Sequence, residues 1–217
     1  MTITLSTLRN RIGARLQDAS FQSVSVSNIN DVINQSLRHY KYFRFWFNDN
    51  ESDITLPQGT PGQPSVVPNI PSDFLQELPQ GGLSILYANI YFPLEKRSSM
   101  VFDSENVGAI GLPYMYVYRA QQFEVYYLPN IAYTLKFRYI KDYADLVNDT
   151  DTNDFLTFAD KLIYYDSLMR IFGEFKQDEK MESYYGQKAA DEFETVTRRT
   201  SSLVATGTLV LNSNLLS

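Results

Sequence analysis

Four groups of residues in this chain have types and spacings that could do chemistry. Each also has a plainer reading. His39 is the only histidine. A Ser–His–Asp arrangement or a histidine metal site would have to use it. It lies among Arg38, Tyr40 and Lys41 on an expected helix, with no nucleophile nearby in sequence, so it reads as an ordinary helix residue. Asp149, Asp151, Asn153 and Asp160 match positions one, three, five and twelve of a calcium loop. Asp154 stands where that loop's sharp turn needs glycine, and Asp160 stands where a longer glutamate would bind through both oxygens. Lys136–Asp142, before it, reads as strand and not as an entering helix. The segment reads better as a solvated acidic loop with a helix N-cap. Asp191, Glu192 and Glu194 lie on the polar side of a helix, whereas a glycosidase needs two carboxyls facing one cleft. The aromatics and bases of Tyr40–Phe47 could stack nucleotides. The burial tendency of large aromatics favours a helix end that plugs a core or a subunit contact. Gly108-Ala-Ile-Gly111 completes no dinucleotide fingerprint, and no phosphate-cradling Gly-x-x-x-x-Gly-Lys occurs. No catalytic residue, metal ligand or cofactor is expected.

Composition narrows the classes further. With 217 residues, 44% of them hydrophobic, one domain of this size buries roughly 70% of its unfolded-chain surface. The chain therefore needs no covalent staple. A net charge of −6 argues against a protein that lives by gripping phosphates. The absence of cysteine removes disulfides, thiolate metal sites and cysteine nucleophiles. No apolar run approaches the ~20 residues of a membrane span. The opening Met-Thr-Ile-Thr-Leu-Ser lacks the basic start and apolar run of a signal peptide, so a cytosolic chain is expected.

Helical periodicity at both ends frames the elements. Leu5, Leu8, Ile12 and Leu16 share one face. Ser27 or Asn28 is expected to open a second helix through Ile29, Ile33, Leu37 and Tyr40, extending toward Phe43 and Phe47, with Asp31 in its first turn. Near the C-terminus, Phe158, Leu162, Tyr165, Met169 and Phe172 mark one helix, capped by Asp154 or Thr157. Met181, Tyr185, Ala189, Phe193 and Val196 mark another, capped by Asp178. A short polar connection makes these two antiparallel neighbours. Between the helix pairs, Ile54–Leu56, Leu83–Leu94, Tyr114–Ala120, Gln122–Leu128 and Tyr133–Tyr139 read as strands. Gln58–Pro71 reads as loop, Pro71–Leu75 as a helical turn, and Ser98–Ile110 as loop or short helix.

The expected fold is α+β and mainly α, a helical bundle of N- and C-terminal helix pairs with an inserted small antiparallel β-sheet and an extended C-terminal arm. The expected boundaries are 1–48 for the first helix pair, 49–153 for the β-rich insertion, 154–199 for the second pair and 200–217 for the arm. The arm carries no charged residue. Its Leu203, Val204, Leu209, Val210, Leu211, Leu215 and Leu216 favour extended structure. Left free, such a segment invites edge pairing. It is expected to bind a partner by adding a strand, the alternative being an ordinary self-packed or frayed tail.

The order of segments carries a resemblance. Met1–Leu16, then Ile29–Ser36 ending in the Phe43–Phe47 aromatics, then Ile70-Pro-Ser-Asp-Phe74, the Tyr-Leu-Pro and Tyr-x-Leu-x-Phe-x-Tyr hairpin, Phe155-Leu156, Asp160–Tyr165 and Tyr184-Tyr185 follow one another over residues 1–199. This pattern resembles the head-to-tail adaptor, or head-completion, proteins of short-tailed bacteriophages. The resemblance implies a structural virion protein of the neck, assembled in the host cytoplasm. It implies a homo-oligomeric ring, a dodecamer, beneath the portal protein. That ring would extend the channel through which genomic DNA passes without sequence-specific binding, and would offer the attachment site for a tail or nozzle protein. It implies no membrane, no cofactor and no active site. The other readings are a carbohydrate-active or carbohydrate-binding protein, a nucleic-acid binder through Arg38–Trp46, and another neck or tail-tube component.

Overall fold

Thr4 opens the first helix, α1 (Leu5–Arg15), by accepting the Thr7 N–H on its side chain. Leu5, Leu8 and Ile12 are fully buried, as their spacing requires. The next helix, α2 (Val26–Tyr40), is capped by Ser25, whose Oγ accepts from the Asn28 N–H at 3.2 Å. The cap is thus earlier than the expected Ser27 or Asn28, and Asp31 lies beyond the first turn. The helix stops at Tyr40, so Phe43 and Phe47 belong to the chain that follows it.

A computed structural model describes residues 3–18, 20–78, 81–105 and 109–204. The chain divides into two units, Met1–Asn48 with Ala144–Ser217, and Asp49–Tyr143. The second unit contains β1 (Asp49–Leu56), β2 (Ser65–Val66), β3 (Phe74–Glu77), β4 (Leu83–Tyr87), β5 (Ile90–Pro93), β6 (Glu95–Lys96), α3 (Ser99–Glu105), β7 (Ile110–Gly111), β8 (Met115–Arg119), β9 (Gln122–Tyr126), β10 (Leu128–Pro129) and β11 (Tyr133–Lys141). Strand β11 is the axis. It pairs antiparallel with β1 along one edge and with β4 and β3 along the other, and β5 continues the sheet beyond β4. A second sheet has the order β2-β9-β8-β6, and β10 pairs with β7 in a third. The period of two turns Tyr133, Leu135, Phe137 and Tyr139 to one face of β11. There they share one buried cluster with Ile54, Leu56, Leu83, Ile85, Tyr116, Phe123 and Val125 from both larger sheets. Met115 and Val117, on the opposite face of β8, join Phe102 of α3 and Tyr126 in another cluster. Strand β8 is therefore buried on both faces at its centre.

These sheets overturn the expected helical bundle with a small inserted sheet. The described residues are 41% helical and 25% strand and form three sheets, one of them five-stranded. The β region has its own apolar core. Its extent escaped the periodicity because β2, β6, β7 and β10 are two residues long and carry no repeat. Most of β1 is polar and reads as loop up to Ile54. Phe74 and Leu75, expected in a helical turn, are in β3.

Ala144–Asn153 belongs with the helical unit: the Asn34 side chain bonds both the N–H and the C=O of Leu146, at 2.9 and 3.0 Å. Asn153, and neither Asp154 nor Thr157, caps α4 (Asp154–Phe158) by accepting from the Leu156 N–H. The helix breaks at Ala159 and resumes as α5 (Asp160–Ile171). That break resets the phase. The buried positions of α5 include Leu162, Ile163, Ser167 and Ile171, while Phe158 is exposed. Tyr165 and Phe172 turn to the next helix, where both rings stack with Tyr185. A π-helical turn (Phe172–Lys176) and Gln177, in the left-handed region at φ 51°, reverse the chain. Asp178 accepts from the Met181 N–H at 3.0 Å as α6 (Glu179–Val204) begins. This helix continues through Thr200–Val204, where an extended arm is expected. The Thr200 and Ser201 hydroxyls donate to the carbonyls four residues back, which lets these residues remain helical. Leu203 and Val204 are thus helical. The expected arm residues Leu209, Val210, Leu211, Leu215 and Leu216 lie outside the described residues.

Candidate functional site

The acidic loop spends its oxygens on helix ends and arginines. Asp149 and Asp151 offer their main-chain carbonyls to the N–H groups of Ser6 and Leu5, at 3.1 and 2.9 Å, at the start of α1. The Asp149 carboxylate pairs with the buried Arg9 at 2.8 Å, and this hydrogen bond lowers its pKa. Asp151 accepts from the Asn148 and Val147 N–H groups, which lower its pKa. Asn153 caps α4, and Asp160 pairs with Arg11 at 2.7 Å. The four side chains that share the spacing of a calcium loop therefore serve four separate contacts. Among the described residues, no group of three or more acids or histidines could hold a metal ion. Asp191 accepts from Gln187 and Glu194 pairs with Arg198, both along the exposed face of α6.

The aromatic segment divides in two. Phe45 and Phe47 are buried. Phe45 meets Phe155 and Phe193, and Phe47 meets Phe155 and Phe158. Trp46 carries the Arg199 guanidinium over its ring at 4.4 Å. Tyr42 and Phe43 are exposed. The segment is mainly a plug between α4 and α6, with two rings left at the surface.

Among the described residues, each unit holds a cavity of about 380 Å³. In the β unit, Glu77, Lys96 and Tyr116 form a polar group beside Phe74 and Tyr118. The Tyr116 hydroxyl donates to Glu77 at 2.6 Å and accepts from the Gly82 N–H at 3.3 Å, while Lys96 pairs with Glu77. Burial, then the Glu77 bond, pushes the Tyr116 pKa up. Glu77 is the sole acid among the described lining residues, whereas a glycosidase pairs two carboxyls across one cleft.

The cavity of the helical unit is an apolar groove among α2, α5 and α6. Gly186, Ala189, Ala190 and Phe193 form one stripe of α6, facing Met169 and Arg170 of α5 and His39, Tyr40 and Phe43 near the end of α2. Asp166 supplies the floor. It is buried, accepts from the Tyr40 hydroxyl at 3.2 Å, and pairs with Arg170 Nε at 2.7 Å. Burial, then the Asp166 charge, pushes the Tyr40 pKa up. His39 packs edge-on to Tyr40 at 4.8 Å and has no nucleophile beside it in this lining. The sequence placed Ala189 on a core face but did not single out the groove. The recurrence of small residues at 186, 189 and 190 was the available signal.

A further apolar surface went unread in the sequence. Tyr87, Ile90 and Phe92 of the β4–β5 hairpin are exposed on the face that elsewhere builds the sheet's core, as their register with Ile85 shows. No helix among the described residues is long and apolar enough to cross a membrane. The described residues offer surfaces and grooves for contact.

Comparison with curated proteins found no match. The profile of the SU10 adaptor protein family matches residues 3–209. That span takes in nearly the whole chain and agrees with the resemblance to phage head-to-tail adaptors drawn from the order of its segments. The chain belongs to the SU10 adaptor protein family.

Proposed function

We propose that this chain is the structural adaptor between head and tail in a phage neck. Copies assemble as a ring, a dodecamer, beneath the portal protein. They lengthen the DNA channel and present the attachment surface for a tail or nozzle protein. Assembly takes place in the host cytoplasm, and the product resides in the virion. The family match over residues 3–209 is the observation that carries this reading. Exposed apolar side chains on each unit, Phe43 in one and Tyr87, Ile90 and Phe92 in the other, are compatible with burial between copies. The net charge of −6 suits a channel wall along which DNA slides without sticking. The segment after α6 contacts the portal or a neighbouring copy through Leu209, Val210, Leu211, Leu215 and Leu216, and Leu203 and Val204 form the helical root of that contact. The reading assigns no reaction to the protein.

Native mass spectrometry with and without a cognate portal ring tests the proposal. A defined multimer on the portal supports it. A ring formed without portal also supports it and moves the main contacts to the edges between copies. A chain that stays monomeric in both conditions removes it.

A further inference from the structure

The five-stranded sheet of the β unit ends in two open edges whose main-chain groups complement each other. Among the described residues, β1 pairs only with β11, and β5 only with β4. The Arg138 N–H of β11 donates to the Gly82 carbonyl, just before β4, at 2.7 Å. Main-chain groups along an antiparallel ladder alternate in direction. Lys136 and Thr134 therefore also face β4, while Leu135 and Phe137 face β1, opposite Ile54 and Ser52. The N–H and C=O groups of Glu51, Asp53 and Thr55 then point away from the sheet. On the other edge, the Leu94 N–H donates to the Leu83 carbonyl at 2.9 Å. The same alternation along β5, whose Phe92 pairs with Ile85, turns the Tyr91 N–H and C=O and the Pro93 C=O outward. The Tyr91 side chain lies back over its own sheet and does not cover this edge. Its ring meets Lys136 Nζ at 4.7 Å, and its hydroxyl donates to Asp53 at 3.5 Å.

Direction, side-chain phase and charge select the fit. Three antiparallel pairings separate β1 from β5, so the two edges run in opposite senses. A second copy set beside β5 without reversal presents its β1 antiparallel to it. With Tyr91 opposite Thr55 of the next copy, Ile90 falls beside Leu56 and Phe92 beside Ile54. All four side chains are then on the core face. The Tyr91 N–H donates to the Thr55 carbonyl, the Thr55 N–H to the Tyr91 carbonyl, and the Asp53 N–H to the Pro93 carbonyl. Ile90 and Phe92, 59% and 44% exposed in the single chain, become an inner row. Prolines bound this register, since Pro93 closes β5 and Pro57 follows β1, and neither is asked for an N–H. Pairing two β1 edges would instead bring the acids Glu51 and Asp53 of two copies together, and like charges across a ladder destabilise it. The segment Tyr87–Leu94 carries no charge. Pairing two β5 edges would close a dimer and leave both β1 edges open. We infer that β5 of each subunit pairs with β1 of the next, so that the five-stranded sheets join edge to edge around the assembly. This rests on the proposed ring and names the seam between its copies.

Disulfide trapping tests the seam, because the chain has no cysteine of its own. Residues facing each other in a hydrogen-bonded antiparallel pair have Cα atoms about 5.5 Å apart, within the reach of a disulfide. Full-length Thr55→Cys and Tyr91→Cys chains are prepared separately, mixed in equal amounts, assembled with the cognate portal ring and mildly oxidised. The expected product is a covalent dimer joining position 55 to position 91, at least tenfold more abundant than any dimer from either variant alone. A chain carrying both substitutions is expected to give a ladder of covalent multimers. Links of 91 to 91 or 55 to 55, or no link in a sample that native mass spectrometry shows to be assembled, overturn the seam and leave the ring standing. A chain that stays monomeric with and without portal removes both. Hydrogen exchange on the unsubstituted chain gives a second readout that no folding defect can confuse. The amides of Asp53, Thr55 and Tyr91 are expected to exchange at least tenfold more slowly in the assembly than in the free chain, and unchanged rates in the assembly overturn the inference.

Discussion

Asp166 shows how one buried charge sets a local structure. It accepts from Tyr40 on α2 and pairs with Arg170 one turn along α5. Removing one partner of a buried pair strands the other, which costs more than the pair contributes net. Asp166→Ala is expected to destabilise the chain by about 2–3 kcal/mol, discounted because Arg170 keeps some contact with water. The urea midpoint should fall with an unchanged slope, and an unchanged midpoint would refute the role. Asp18 illustrates the opposite regime at the surface. The Ser23 hydroxyl, then the N–H groups of Gln22, Ser23 and Val24, hold its pKa down at about 2, against an ordinary value of 3.8. A depressed carboxylate contributes stability above its unfolded-state pKa and loses it as pH falls through the folded one. The stability advantage of the natural chain over Asp18→Asn should therefore be constant above pH 5 or so and shrink between about 4 and 2. Thermal melts across that range check it, and an advantage that grows toward low pH would reverse the sign.

At the scale of elements, the two short hairpins expose a specific strain. The β8–β9 turn places Ala120 and Gln121 at φ 48° and 60°, and the β4–β5 turn places Ala88 and Asn89 at 49° and 62°. Two-residue hairpins of this kind favour Asn and Gly, because a Cβ in the left-handed region crowds the following carbonyl. Ala120→Gly should relieve that crowding and stabilise the fold by about 0.5–1 kcal/mol, net of the extra freedom glycine gives the unfolded chain. A melting temperature that falls would count against it. These turns also show where the sequence was legible. The strands around Ala120-Gln121 were readable from their aromatic alternation, even though the turn itself carries neither Asn nor Gly. The axis strand β11 was readable because every second side chain is a large apolar one. The helical stripes of α1 and α6 were readable for the same reason at a different period. What stayed hidden depends on pairing across long separations. Strand β1 is polar along most of its length and is a strand because β11 lies beside it. The two-residue strands have no period at all. The groove was hidden because it is a property of three helices together, and the break at Ala159 separates Phe158 from the stripe that Leu162 continues.

At the scale of the whole molecule, the chain leaves the helical unit after Asn48, builds a β unit with its own apolar core, and returns at Ala144. The contacts that close the helical unit join its two chain segments. Arg9 meets Asp149, Asn34 holds Leu146, and Phe45 meets both Phe155 and Phe193. Asn34→Ala should free the 144–153 segment, costing about 1–3 kcal/mol through the unpaired Leu146 groups. Proteolysis confined to that segment would report it. The largest separation of folding from function is expected at the other end. All the described core residues precede Val204, and the last described side chains of α6 have the exposed Leu203 beside them. A chain ending at Val204 should therefore keep its helical circular dichroism signal and melt within a few degrees of the full chain. If the uncharged segment is what a portal or a neighbouring copy grips, the same truncation should abolish portal-dependent assembly in native mass spectrometry, because both the main-chain pairing and the Leu and Val side chains that set its register are gone. A truncated chain that assembles as the full one does would show that the partner contacts lie on the two folded units, and the exposed β4–β5 hairpin would become the surface to mutate.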